Sequence, residues 1–361
     1  MSDTQVSMLM FLMIMATVIL FVPSITAQEA GVSAWMVPLI VPTLAGYLTV
    51  WMACKLEERF SGLTLVQYGE LILGKLLGKP LGCLYILFLF ILDVLVIREF
   101  AGFFSVTMLP NTPILVLNLT VVLVGGYAAL QGIEVIGRMT QFVLPLFVLS
   151  FLLLISLVLP DADFGFLQPL LGDGVMPIVK SSVVPASWYG EIGVLVLLLP
   201  MVNKTQGVKR KGFITLLAVA CFLTLDIFVT QIVFGAEQTA SFMFPFFELA
   251  EYVEIGNLIQ RIESLISIMW ITGIVVKAAL FTYLISLGVS QVLGLKTYRL
   301  VVYALMPLQL ILGTYPAISA LNLSRILAQY WPLFGLFFEV VVPLFLLMVA
   351  FLRNMRLGGS G

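Results

Sequence analysis

The sequence predicts an all-α polytopic membrane protein of ten transmembrane helices, arranged as a 5+5 inverted repeat with spans one and six broken. Three observations predict it. The chain is 61% hydrophobic and 10% charged, with a mean hydropathy of +1.14, a balance that soluble globular chains do not carry. Ten segments are long and apolar enough for a hydrocarbon core ~30 Å thick, which takes ~20 helical residues. Two of the ten, in matching places in the two halves, are interrupted by proline and small polar residues. Broken backbone survives in a membrane only where protein or a cavity satisfies the freed N–H and C=O groups.

The ten segments run over 6–28, 35–54, 81–106, 113–130, 134–159, 175–202, 212–235, 258–291, 298–314 and 332–352. In the first, Ala16-Thr17-Val18 precedes Pro23-Ser24. In the sixth, Pro185-Ala186-Ser187-Trp188-Tyr189-Gly190-Glu191 sits mid-span. Asp3 is the only charge before Glu29, so a cleavable signal lacks its basic region and a retained first helix is expected. The stretch 63–77, with Gln67, Glu70 and Lys75 among leucines, reads as an amphipathic surface helix. The longer connections 160–180 and 236–257 are acidic, and Phe242–Phe247 with the run through Glu248, Glu251 and Glu254 predicts a short helix capping the bundle.

Orientation follows from lysine and arginine. With the N-terminus cytoplasmic, the inner segments hold thirteen: Lys55, Arg59, Lys75, Lys79, Arg138, Lys204, Lys209, Arg210, Lys211, Lys296, Arg299, Arg353 and Arg356. The outer segments hold three: Lys180, Arg261 and Arg325. Thirteen against three places both termini inside. Five spans per half is an odd number, so the second half enters from the opposite side and the two broken spans correspond by inverted pseudo-symmetry. One transmembrane domain is expected over 1–357, with repeats at 1–159 and 160–357. Gly358-Gly359-Ser360-Gly361 reads as an artificial linker.

Composition also excludes functions. There is no histidine, hence no histidine nucleophile, metal site or proton relay. Cys54, Cys83 and Cys221 are scattered in apolar context and read as buried small hydrophobes. No phosphate-binding loop, metal spacing, nucleophile elbow or selectivity filter is present. Nothing points to an enzyme, a cofactor or a nucleic-acid partner.

The candidates for chemistry are charges inside the bilayer and the residues at the two breaks. A midplane ligand pocket is expected among Ala16, Thr17, Val18, Ser187, Trp188, Tyr189 and Gly190, with simple helix packing as the alternative for the aromatics. Lys277 lies near the middle of span eight, too deep to reach water easily. It either replaces a coupling cation and caps carbonyls freed at the span-one break, or forms an ion pair with Asp226 of span seven or Glu191 of span six. Glu191 could receive a ligand ammonium or a proton, or satisfy exposed N–H groups of the lower half-helix. Asp93, Arg98 and Glu99 on span three suggest a salt-bridge network between helices. Arg261 and Glu263 each need a partner elsewhere, and Glu339 in span ten has no evident role.

Taken in order, several stretches carry a resemblance. They are Leu20-Phe21-Val22-Pro23-Ser24 with Ala30-Gly31 and Ala34-Trp35, Arg98-Glu99-Phe100 with Leu109-Pro110-Asn111-Thr112-Pro113, and Leu167-Gln168-Pro169-Leu170-Leu171-Gly172-Asp173-Gly174. Pro185 to Glu191, Gln260-Arg261-Ile262-Glu263-Ser264 and Val276-Lys277 complete the set. In this order and spacing the whole chain resembles the spore-germination permeases, the B subunits of nutrient germinant receptors, a branch of the amino acid–polyamine–organocation superfamily. The resemblance implies a leucine-transporter-like fold and a pocket between spans one, three, six and eight. It implies a role in sensing amino acids or related small nutrients with A and C partner subunits, in the inner membrane of the spore. It also implies a cation site between spans one and eight, where Lys277 stands. The chain departs from the wider superfamily at the span-one break, where glycines are usual and Ala16-Thr17-Val18 stand instead. A secondary transporter for amino acids, independent of sodium and able to use protons, is the competing function.

Overall fold

The computed structural model describes residues 1–203, 205–253, 262–315 and 320–356, and every regular element among them is helical. Lys204, Glu254, Gln260, Arg261 and the tail 358–361, all used in the sequence reading, lie outside the described residues.

Helix α1 (Asp3–Ala30) opens on a capping box in which Ser2 and Gln5 satisfy each other's backbone N–H groups. It then runs unbroken through Ala16-Thr17-Val18 and Pro23. This corrects the expected break in span one. Alanine, threonine and valine all hold helical dihedrals, and Pro23 removes only its own N–H from the ladder. Helix α2 (Val41–Arg59) is followed by α3 (Leu65–Leu73), the surface helix expected near 63–77, which Thr64 and Gln67 start with a second capping box. Gly74, at φ +79°, separates α3 from α4 (Lys75–Val106). Gly132, at φ +93°, makes the one-residue turn between α5 (Ile114–Gln131) and α6 (Ile133–Val158). Both need the left-handed region that glycine enters without steric cost.

Span six is a run of short pieces: α7 (Met176–Ser181), α8 (Val183–Gly190), a 3₁₀ stretch Glu191–Val194 and α9 (Leu195–Leu198). The expected break at Pro185–Glu191 takes the form of a switch from α to 3₁₀ immediately after Gly190. Then come α10 (Val208–Phe234), and α11 (Ala236–Ser241) with α12 (Pro245–Tyr252), which cap one end of the bundle where a capping helix was expected. Helices α13 (Ile262–Leu293) and α14 (Arg299–Gly313) follow. The last span comprises α15 (Ala320–Arg325), α16 (Trp331–Leu336) and α17 (Val342–Leu352), joined by π-helical turns at Ile326–Tyr330 and Phe337–Val341.

Eight described helical stretches are long and apolar enough to cross a membrane, which makes this a multi-pass membrane protein. The other two expected spans are α2, with four charges in its last five residues, and α14, which at 15 residues is short. In span one and in span six, 94% of the most apolar stretch is buried; in the remaining spans the figure is 39–72%. A helix apolar all round belongs in an interior. Spans one and six are therefore the centre, and the others turn one face to lipid. Around α1 stand α6, α8, α10 and α13, while α2 and α16 close on α8. Cys83 and Cys221 are exposed rather than buried, on helix faces that a bilayer covers; Cys54 is buried as expected.

Candidate functional site

The centre of the bundle holds one ammonium. Lys277 of α13 is fully buried and donates to Glu191 Oε2 at 2.6 Å and to Thr17 Oγ1 at 2.6 Å. Thr17 also accepts from Trp188 Nε1 at 3.1 Å. These bonds tie spans one, six and eight together at the switch in span six. Of the alternatives left open by the sequence, the ion pair with Glu191 is the one formed. Capping of span-one carbonyls by Lys277 is not seen: α1 is unbroken, and Lys277 donates to Thr17 and Glu191 instead. Asp226 is also not the partner: it lies buried on α10 and receives only the Thr230 hydroxyl, at 3.5 Å.

A buried pair of this kind costs desolvation, and its geometry must return it. Here the ammonium has two short acceptors and Phe281 5.8 Å away on the same helix. Small residues allow the close approach. A Cβ on Gly273 would meet Ala16 Cβ at 3.2 Å, so α13 and α1 pass nearly backbone to backbone there. The Ala16 carbonyl accepts from Trp270 Nε1, at 2.5 Å.

Trp270 begins an aromatic plug on the capped side of the clamp. Its ring packs on Phe103 at 4.5 Å and on Phe100 at 6.2 Å. Phe103 meets Phe244 and Phe247, and Phe244 meets Phe21. Beyond Phe21 opens a cavity of about 470 Å³ lined by Ser24, Gln28, Ser241, Arg325 and Gln329 among others. Ala16, Thr17, Val18, Ser187, Trp188, Tyr189 and Gly190 are brought together, but all are buried beneath the plug.

Arg98 and Asp93 of span three are held by hydrogen bonds, and among the described residues no salt bridge joins the span-three charges. Arg98 donates to the Gly313 carbonyl at 3.1 Å. Gln309 Nε2 donates to Asp93 Oδ2 and, at 2.8 Å, to Thr282 Oγ1. Outside the spans, burial pushes the Glu248 carboxyl of α12 above the usual carboxylate range, and the nearby Glu251 adds to the effect.

Sequence reasoning missed Trp270 and Gln309. Trp270 lies two helical turns before Lys277, a spacing that puts both on one face. Gln309 is a polar side chain in a mostly apolar segment, the same signal that singled out Lys277.

A family model described as "Spore germination protein" matches residues 1–321. The chain is 25% identical to spore germination protein YndE of Bacillus subtilis (strain 168), over 84% of each chain. It is 23% identical to spore germination protein KB of the same organism, over 91% of this chain and 89% of that one. It is 26% identical to spore germination protein XB of Bacillus anthracis, over 88% and 87%. Among solved structures it matches MhsT in complex with L-phenylalanine at a TM-score of 0.65 and 12% identity, covering 96% of this chain and 97% of that one. The fold is therefore leucine-transporter-like.

Proposed function

The chain belongs to the spore germination protein family, and from that premise we propose that it is the membrane subunit of a nutrient germinant receptor. In this reading it spans the inner spore membrane ten times as two five-helix repeats, 1–159 and 160–357, with both termini inside. It works with A and C subunits and binds a small nutrient, an amino acid or a close relative. No catalytic step is involved.

The observation that carries the reading is the clamp. Thr17, Glu191 and Lys277 lock the two central spans to α13 directly beneath the plug. A ligand entering from the cavity at Phe21, Ser24 and Gln28 meets the aromatic plug first and the clamp second. Displacing the plug frees Trp270 from Ala16 and loosens the three-span lock, a change the partner subunits read as a population shift.

The competing reading, an amino acid transporter, rests on the shared fold with MhsT. One pair of measurements separates them. Spores lacking the native subunit and carrying this chain are titrated with single amino acids, and proteoliposomes of the purified chain are assayed for uptake of those that act. A receptor gives a saturable germination response without uptake. Concentrative uptake without the partner subunits overturns the receptor reading.

A further inference from the structure

Glu339 has no place in the clamp, yet it lies against it. It sits in the π-helical turn Phe337–Val341, a kind of turn that recurs at functional sites. It is 1% exposed, and neither carboxyl oxygen has a hydrogen-bonding partner. Its carboxyl rests on Gly190, where a Cβ would stand 2.2 Å from Oε2. Gly190 ends α8, and the next residue is Glu191, which holds Lys277.

The charged groups around it are few. Glu191 and Lys277 act on Glu339 from span six and α13. Tyr85 of α4 is within the same reach, and its hydroxyl donates to the Gly193 carbonyl at 3.3 Å. From α2 it is Thr49 that approaches, through Gly193, while the charges of that helix lie at its C-terminal end. Helices α16 and α17 contribute no titratable side chain. The Lys277 ammonium, which Asp93 and Glu99 of α4 also face, is bonded to Glu191 and not to Glu339.

A carboxyl with no donor in an apolar interior is stable as the neutral acid. We propose that Glu339 is a proton-binding site coupled to the switch at Gly190. It is neutral in the closed arrangement seen here. When span six moves away from the π turn and water enters, the carboxyl O–H bond breaks and the proton passes to water. Reclosure takes a proton back. The inference deepens the two-state reading above, but its test does not depend on germination or uptake.

The test is infrared spectroscopy of the purified full chain in lipid nanodiscs, in H2O and D2O. The expected result is a neutral-carboxyl C=O band, shifted in D2O, that loses one carboxyl's intensity in Glu339→Gln. Glu191→Gln keeps that intensity, since the Glu191 carboxyl is held by the Lys277 ammonium. Undiminished intensity in Glu339→Gln overturns the proposal. Should that variant not accumulate, Glu339→Asp replaces it: the acid is kept in a changed setting, so the band must persist at a shifted frequency, and an unshifted band overturns the assignment.

Discussion

Lys277 holds the centre by two bonds to two different spans, and this makes its removal readable. In Lys277→Met, Glu191 is left buried and unpaired, a loss of ~3–5 kcal/mol by analogy with other broken buried pairs. The expected result is a marked fall in thermal unfolding temperature in detergent, with insertion intact because a charge is removed from lipid and none added. Glu191→Gln in the same chain should recover most of the loss. A double variant no more stable than the single would mean that Lys277 serves some other group. Thr17→Val tests the second arm. It keeps the shape, removes the acceptor of both Lys277 and Trp188, and should cost ~1–3 kcal/mol for each buried donor left without a partner. Thr17→Ser keeps that oxygen and should retain most of the stability. Equal losses in valine and serine variants would point to the methyl group's packing instead.

Elements meet in this bundle where side chains are smallest, and α3 packs on α4 backbone to backbone. A Cβ at Gly78 would fall 2.4 Å from Glu70 Cα and 2.5 Å from the Gly69 carbonyl oxygen. Those are backbone atoms, so a rotamer change cannot relieve the clash. Gly78→Ala, normally favourable in a helix by ~1 kcal/mol, should here lift α3 off α4. Faster hydrogen exchange of the 65–73 amides, with α1 unchanged, is the expected signature; unaltered exchange would show the helices further apart. The sequence made α3 legible through its leucine stripe, and the spans through hydropathy alone. It also isolated Lys277, because a lone ammonium in an apolar run has no other explanation. It did not disclose which of two carboxylates Lys277 meets, since that depends on how helices 86 residues apart turn toward each other. Nor did it disclose the continuity of α1. Proline and small polar residues mark where a helix is able to break, but here α1 runs unbroken with Ala16 packed against Gly273 and bonded to Trp270.

The whole molecule is layered along its axis: cavity, aromatic plug, charge clamp, with the two most buried spans carrying the clamp. Its fold matches MhsT over nearly the full chain, and the resemblance implies a cation site between spans one and eight. In this chain that interval contains the Lys277 ammonium, bonded to Thr17 of span one. A sodium ion placed ~4 Å from it would be repelled by ~4 kcal/mol at an effective dielectric of ~20. Such a penalty weakens binding about a thousandfold, at 1.4 kcal/mol per factor of ten. The Lys277 ammonium thus already joins spans one and six with a fixed positive charge at that interval. The expected outcome is that germination or uptake supported by this chain is unchanged when sodium is replaced by choline at constant ionic strength. Lys277→Met with Glu191 retained reopens the interval and leaves a carboxylate facing it, so sodium should stabilise that variant and not the wild type in a thermal shift assay. A wild-type response that disappears in choline and returns with sodium would place a cation beside Lys277 after all, and would remove the clamp from its role as the fixed joint between spans one, six and eight.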